Sequence, residues 1–410
     1  MSIGPAGRLR NDRGGTLVLV AVMILALTSM AALAIDLSML FDSRAQAQRA
    51  ADAAALAGAS AFRDLSNSTA PVPAHDRAML YASQNRIRGT LVDTTREVAV
   101  TILQPQYRVR VTVTRANINT WFARLLGRNL IQVQATATAE AAQSGRSNCV
   151  KSFAIPDLWH ETNTSSGRTG QDQNANKLWD PTEGWQYEPA SGDTYAPYDP
   201  TSPSSSQTGY GSGYRNGVDA AINDFGRTIT LKAQQPSTSI TSSFFYPWRV
   251  PLAAGGTSAG ASDYRNVLED TTCTVVGPVD VNVSYSIENG NMVGPTRSAI
   301  NTLISDDPSA VWNPTAGPDG KGQVVTPKYS DWRSSPRVVT LGLFDPSQIA
   351  GVQGGGGLNI KFNNFALFFI EGFLGSGAQA PVLGRFLYSA NGSGSGPTVG
   401  SLVRTLRLVQ

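Results

Sequence analysis

The stretch whose spacing most resembles a working site is DQNANKLWDPTE, which sets Asp172, Asn174 and Asn176 two residues apart and adds Asp180 and Glu183. Oxygen-bearing side chains at alternate positions, closed by a distant bidentate carboxylate, are the pattern of a calcium loop. Lys177 stands where such loops carry glycine, and no helix is evident on either flank. The stretch therefore reads as a Ca²⁺ site or as a polar loop of Asx turns. Cys149 and Cys273 are the only cysteines, and His75 and His160 the only histidines, so a Cys/His zinc cluster is excluded. In an exported chain two cysteines suggest one disulfide. Closing a loop of this length would contribute up to ~4–5 kcal/mol by chain entropy. Two unpaired buried thiols are the other reading.

Covalent and acid–base chemistry finds no support. There is no G-x-S-x-G, no H-E-x-x-H and no convincing Ser-His-Asp set. His160 lies between Trp159 and Glu161 with no nucleophile to serve, and Asp306-Asp307 precedes Pro308 and reads as a helix end. The glycines of SPSSSQTGYGSG (202–213) follow no strand and lead into no helix, so they read as a flexible loop and not a phosphate cradle. With 33 basic and 30 acidic residues, a net charge of +3 and no basic run with interleaved aromatics, no nucleic-acid partner is expected. A non-enzymatic chain is expected; a secreted hydrolase would need a cluster that spacing does not display.

The elements that would position any site begin with an apolar run. Residues 16–35 are 20 uncharged positions, about 30 Å as a helix, which matches the hydrocarbon core of a bilayer. Arg8, Arg10 and Arg13 against the lone Asp12 keep the N-terminus cytoplasmic. The run is longer than a signal-peptide core, although Ala32-Leu33-Ala34 would serve as a cleavage site. Neither Gly nor Pro interrupts residues 16–57, and Leu37, Leu40, Phe41, Ala45, Ala51, Ala55, Ala59 and Phe62 recur at helical spacing. One helix of about 60 Å follows, half in lipid and half outside. Beyond it come a shorter helix (74–88), period-two strands at 97–102 and 107–115, a short amphipathic helix (119–129) with Trp121 and Phe122 turned to the core, and a strand at 131–141. From Cys149 onward Gly, Ser, Pro and Asn rise. Strands are expected at 277–287, 337–344, 358–373, 384–388 and 402–409, with one clear helix at 296–305. Thr296, near the start of that helix, reads as part of a capped turn or an anion contact.

RNDRGGTLVLVAVMILAL followed by AIDLSMLFDSRAQAQRAADAAALAGASAF resembles the N-terminus of the TadE/TadG-like proteins of the Flp (tight-adherence) pilus system. The matching elements are Arg13-Gly14, the apolar span, Asp36 at its outer end and the ADAAALAGA stretch at 51–59. The resemblance extends to a V-x-V-x-V strand (109–113), a Trp-Phe-Ala-x-Leu-Leu-Gly segment (121–127) and an Ala-Thr-Ala-Thr-Ala tail (135–139), and more loosely to 288–312 and 335–346. Pilin precursors carry Glu five residues after a cleaved Gly; here Leu19 and Val20 occupy those positions, so the resemblance implies an uncleaved TadG-type subunit. The D-x-S-x-S metal motif of some relatives is not carried over, because Asp36-Leu37-Ser38-Met39-Leu40 lacks its second Ser.

The expectation is an α+β chain: a cytoplasmic basic segment (1–15), a transmembrane helix (16–35), a membrane-proximal α+β module (36–147) and a β-rich distal domain (148–410). The resemblance implies a single-pass inner-membrane component of a Tad/Flp apparatus, with its bulk in the periplasm or at the cell surface. Its partners would be the membrane and other pilin-like subunits or the assembly platform, with small residues such as Ala26, Ser29, Ala31 and Ala32 suited to close helix approach. The alternative is a calcium-supported adhesin secreted by cleavage after Ala34.

Overall fold

The run without Gly or Pro from residue 16 to 57 lies within one 52-residue helix, α1 (Arg13–Asp64), about 78 Å long at 1.5 Å per residue. The computed structural model describes residues 13–64, 70–103, 106–123, 130–160, 187, 189–199, 204, 206–211, 225–232, 246–290, 292–317, 322–348, 359–377, 380–389, 402 and 404–409. The calcium-like residues Asp172, Asn174, Asn176, Asp180 and Glu183 lie outside them, as do residues 124–129 of the expected amphipathic helix. Among the described residues α1 is the one helix long and apolar enough to cross a membrane, and none of its most apolar stretch is buried against protein.

The second half of α1 is covered. Ala47, Ala50, Ala51, Ala54, Ala55, Ala59, Ala61 and Phe62 are buried against a second helix and a four-stranded antiparallel sheet. That helix is α2 (Pro71–Ser83); its two prolines, Pro71 and Pro73, sit in its first turn, where a missing N–H costs nothing. The sheet contains β1 (Val98–Leu103), β2 (Arg108–Asn119) and β3 (Leu130–Gln143). Along β3 the inward positions are Val133, Ala135, Ala137, Ala139 and Ala141, while Thr136 pairs outward with Thr112 at 3.0 Å. Alanine facing alanine lets helix and sheet approach closely. Gly58 marks the tightest point: a Cβ there would stand 2.8 Å from Val109 Cγ1 and 3.0 Å from the Ala74 carbonyl oxygen.

The β-rich region forms a seven-stranded sheet. Its members are β4 (Val150–Pro156), β5 (Thr228–Lys232), β6 (Tyr246–Pro247), β7 (Ser284–Ser286), β8 (Val338–Phe344), β9 (Asn359–Phe373) and β10 (Val382–Ser389). The order is β5-β10-β9-β8-β4-β6, with β7 pairing on β9; β4 and β8 run parallel, and the other pairs are antiparallel. Phe362, Phe365, Phe368 and Phe369 of β9 are buried with Trp248 at its centre. Two helices pack together, α3 (Gly260–Glu269) and α4 (Val293–Asp306), and Tyr264 Oη and Thr296 Oγ1 lie 3.0 Å apart between them. Thr296 is thus buried and donates to the Met292 carbonyl, which removes it from any anion. Asp307 ends α4 and accepts hydrogen bonds from Ser335 (2.6 Å) and Thr326 (3.0 Å). Beside it the buried Arg337 donates to the carbonyls of Asp307, Ala310, Ile370 and Glu371.

The last strand, β11 (Arg404–Val409), leaves this region and joins the membrane-proximal sheet, pairing antiparallel with β3. The boundary expected at residue 147 is therefore crossed by the chain's return. Buried Glu140 accepts from Arg108 at 2.5 Å and from Arg407 at 2.6 Å, and the Arg404 guanidinium lies 3.7 Å over the Tyr107 ring.

At an exposed helical site Gly→Ala would stabilise by ~1 kcal/mol. At Gly58 the added methyl meets a core side chain and a backbone carbonyl. Gly58→Ala is expected to destabilise the membrane-proximal core by about 1–2 kcal/mol net, read as a lower melting temperature of the detergent-solubilised chain by circular dichroism. A rise in melting temperature would mean that α1, α2 and β2 do not converge there. Cys149 and Cys273 form a disulfide. Non-reducing mass spectrometry should find no free thiol, and Cys149→Ser with Cys273→Ser should lower the unfolding free energy of the β-rich region by about 2–5 kcal/mol, read from chemical denaturation.

Candidate functional site

Along α1 every described side chain from Leu17 through Ile35 is exposed or half-exposed, and the first buried one is Asp36, at 3% exposure. It is also the first residue beyond the apolar run. Its Oδ1 accepts the Trp121 N–H at 2.9 Å, and its Oδ2 accepts those of Phe122 at 3.0 Å and Ala123 at 2.6 Å. Three successive amides aimed at one carboxylate form an anion nest, the geometry that stabilises negative charge without a cationic partner. Burial raises the carboxyl pKa, but the three N–H groups outweigh it and hold the group below its ordinary value of 3.8. The charge is kept where a buried carboxylate without such donors would be costly.

This geometry corrects two expectations. Residues 121–123 form a bend after β2, and Trp121 is 61% exposed where core packing was expected. Leu37 and Phe41 also face outward, although they were read on the same face as Ala51 and Ala55. The contact stripe instead runs through Asp36, Ser43, Ala47 and Ala50, and Leu37 and Phe41 lie off it. A hydrophobic count along the helix could not distinguish the two faces, because lipid and protein core select the same residue types.

The remaining sequence candidates are dispersed. His75 is on α2 beside Asp76, and the backbone of His160 bridges that of Thr194. Among the described residues, no group of three or more His, Cys, Asp or Glu side chains converges on a point that could hold a metal. Beside the disulfide lies a cavity of about 290 Å³ lined by Cys149, Lys151, Asp270, Cys273, Arg333 and others. Sequence reading missed Lys151, which is buried and donates to the Asp270 carbonyl at 2.5 Å and the Val267 carbonyl at 3.4 Å. Burial pushes its pKa down to about 8, opposed by the nearby Asp270 charge. An amine closing the C-terminal carbonyls of α3 does the work of a helix cap.

Residues 14–61 match the family model Tad, described as "Putative Flp pilus-assembly TadE/G-like". This segment is TadE/G-like. The match spans the apolar run, Asp36 and the alanine stripe up to Ala61, and ends before the sheet those residues pack on. No curated protein and no solved structure matches the chain. The TadE/G-like segment thus contains the helix half of the Asp36 site, and the amides that complete it come from the turn after β2.

Asp36→Ala removes all three acceptor contacts, and Asp36→Asn keeps the shape without the charge. Amide hydrogen exchange in the full chain should show residues 121–123 losing at least about tenfold protection in Asp36→Ala, with Asp36→Asn between it and wild type. The pH dependence has a fixed sign. A carboxyl with a lowered folded pKa contributes above its ordinary value, near 3.8, and that contribution disappears as pH falls through the lower folded value. The protection difference between wild type and Asp36→Ala should therefore persist at neutral pH and vanish only in strong acid. Unchanged protection in Asp36→Ala would show that the carboxylate does not hold the turn.

Proposed function

We propose that this chain is a membrane-anchored, non-enzymatic, pilin-like component of a bacterial Tad/Flp pilus assembly or adhesion apparatus. The observation that carries the reading is the two-part helix within the TadE/G-like match: an apolar span left bare by the protein, then an alanine stripe buried by the module. A bare apolar span has lipid, or the helices of neighbouring subunits within lipid, as its natural environment. The basic residues before it orient the N-terminus to the cytoplasm, and the sheet modules lie on the far side. There the oxidising compartment suits the Cys149–Cys273 bond. The distal sheet is the part offered to a partner or surface.

The test is the fate of the native protein's N-terminus together with its fraction. An intact chain that resists alkaline extraction from inner membranes, with protease reaching the distal region only from the periplasmic side, is the expected result. A soluble product beginning at Ile35 would favour the secreted adhesin, whose folded module, starting at Asp36, would survive the cut. Recovery of the chain in sheared fibres would make it a subunit of the fibre, and recovery in membranes alone would place it in the assembly base.

A further inference from the structure

Among the described residues, the exposed Phe and Trp side chains are Phe41, Trp121 and Phe122, and all three lie at the outer end of the apolar span. Phe41 is 69% exposed, and Leu37 and Leu130 are exposed beside them in sequence or strand register, Leu130 opposite Asn119 at the root of the same turn. Elsewhere among the described residues the Phe-rich centre of β9 is buried, and Tyr81 on α2 is 48% exposed. An exposed apolar cluster with this restriction calls for an environment at one level of the molecule.

We propose that Trp121 and Phe122, with Leu37, Phe41 and Leu130, form an apolar collar that enters the headgroup and upper acyl layer of the bilayer's outer face. The contact rests on the anchored reading above and adds a second, turn-borne membrane attachment to it. Its level is set by Asp36. The three amide contacts of 2.6–3.0 Å hold the turn beside the first residue beyond the span, so Trp121 cannot ride high above the membrane. Phe41 is five residues further along α1, a rise of about 7.5 Å. The headgroup region adds about 5–8 Å on each side of the hydrocarbon, so the collar falls within it. Tryptophan favours that layer because its ring is apolar and its N–H still finds water or ester oxygens. The turn's own amides solvate the Asp36 carboxylate, so its charge does not keep the turn out of lipid. A helix gripped by lipid and by a turn at the same depth cannot piston or rotate freely relative to its module.

Depth-resolved quenching tests the contact on the full chain in phosphatidylcholine/phosphatidylglycerol vesicles. The native cysteines are joined to each other, so an introduced cysteine is available for a fluorescent NBD label. Labels go at Phe122→Cys, at Leu25→Cys inside the span and at Val311→Cys on the exposed surface of the distal region. Headgroup nitroxide lipid should cause a roughly twofold loss at position 122 and less loss with deep nitroxide, the opposite order at 25, and no loss at 311. A label at 122 that is unquenched while 25 is quenched would overturn the collar and leave the anchor standing; blue-shifted emission in that case would mean a second copy covers the patch. An unquenched label at 25 would overturn the anchor and the collar together.

Discussion

A single carboxylate at the end of an apolar helix constrains this molecule more than any other group. Asp36 is the point at which α1 stops being bare and starts being covered, and its partners are main-chain amides, which substitution of side chains cannot remove. One contact fixes three quantities. It sets the rotation of α1 about its axis, the distance along α1 at which the module begins, and the level along α1 at which the turn after β2 sits. The alanine stripe then has only one sheet face to meet, and small side chains on both sides bring helix and sheet close enough for Gly58 to touch Val109. Asp36 and Gly58 act as the two ends of one interface: an electrostatic lock beside the apolar span and a steric one at the far end.

The path of the chain adds a second constraint. The polypeptide leaves the membrane-proximal sheet after β3, builds the seven-stranded sheet, and returns as β11 to pair with the strand it left. The β-rich region is therefore held to the membrane-proximal sheet at both ends. Glu140, reached by Arg108 from β2 and Arg407 from β11, joins the incoming and returning strands through one buried carboxylate, whose pKa is raised by burial and lowered further by the two guanidinium hydrogen bonds. A pull on the distal sheet would load β3 and β11 side by side.

Much of the secondary structure was legible because it rests on local patterns. The uninterrupted run through residue 57, the alternation along β2 and β3, and the apolar length of β9 each follow from neighbours in sequence. Helix α3 was not legible. It opens at Gly260 with φ +72°, and its three buried residues, Tyr264, Val267 and Leu268, amount to a single i, i+3, i+4 set, too short for a period to stand out. The placement of β11 was equally hidden, since strand pairing across the whole intervening region leaves no local mark.

By itself the sequence determined that this chain carries a helix able to span a bilayer, that the helix continues into an alanine-rich half, and that two cysteines are available for a long-range bond, because composition and period encode each of these within a few turns. Which face of the helix meets protein, where the turn bearing Trp121 sits and why Asp36 carries its charge under cover were decided only by tertiary structure. The amides that settle all three stand 85 to 87 positions away in the chain, and a carboxylate cannot announce the partners that folding brings to it.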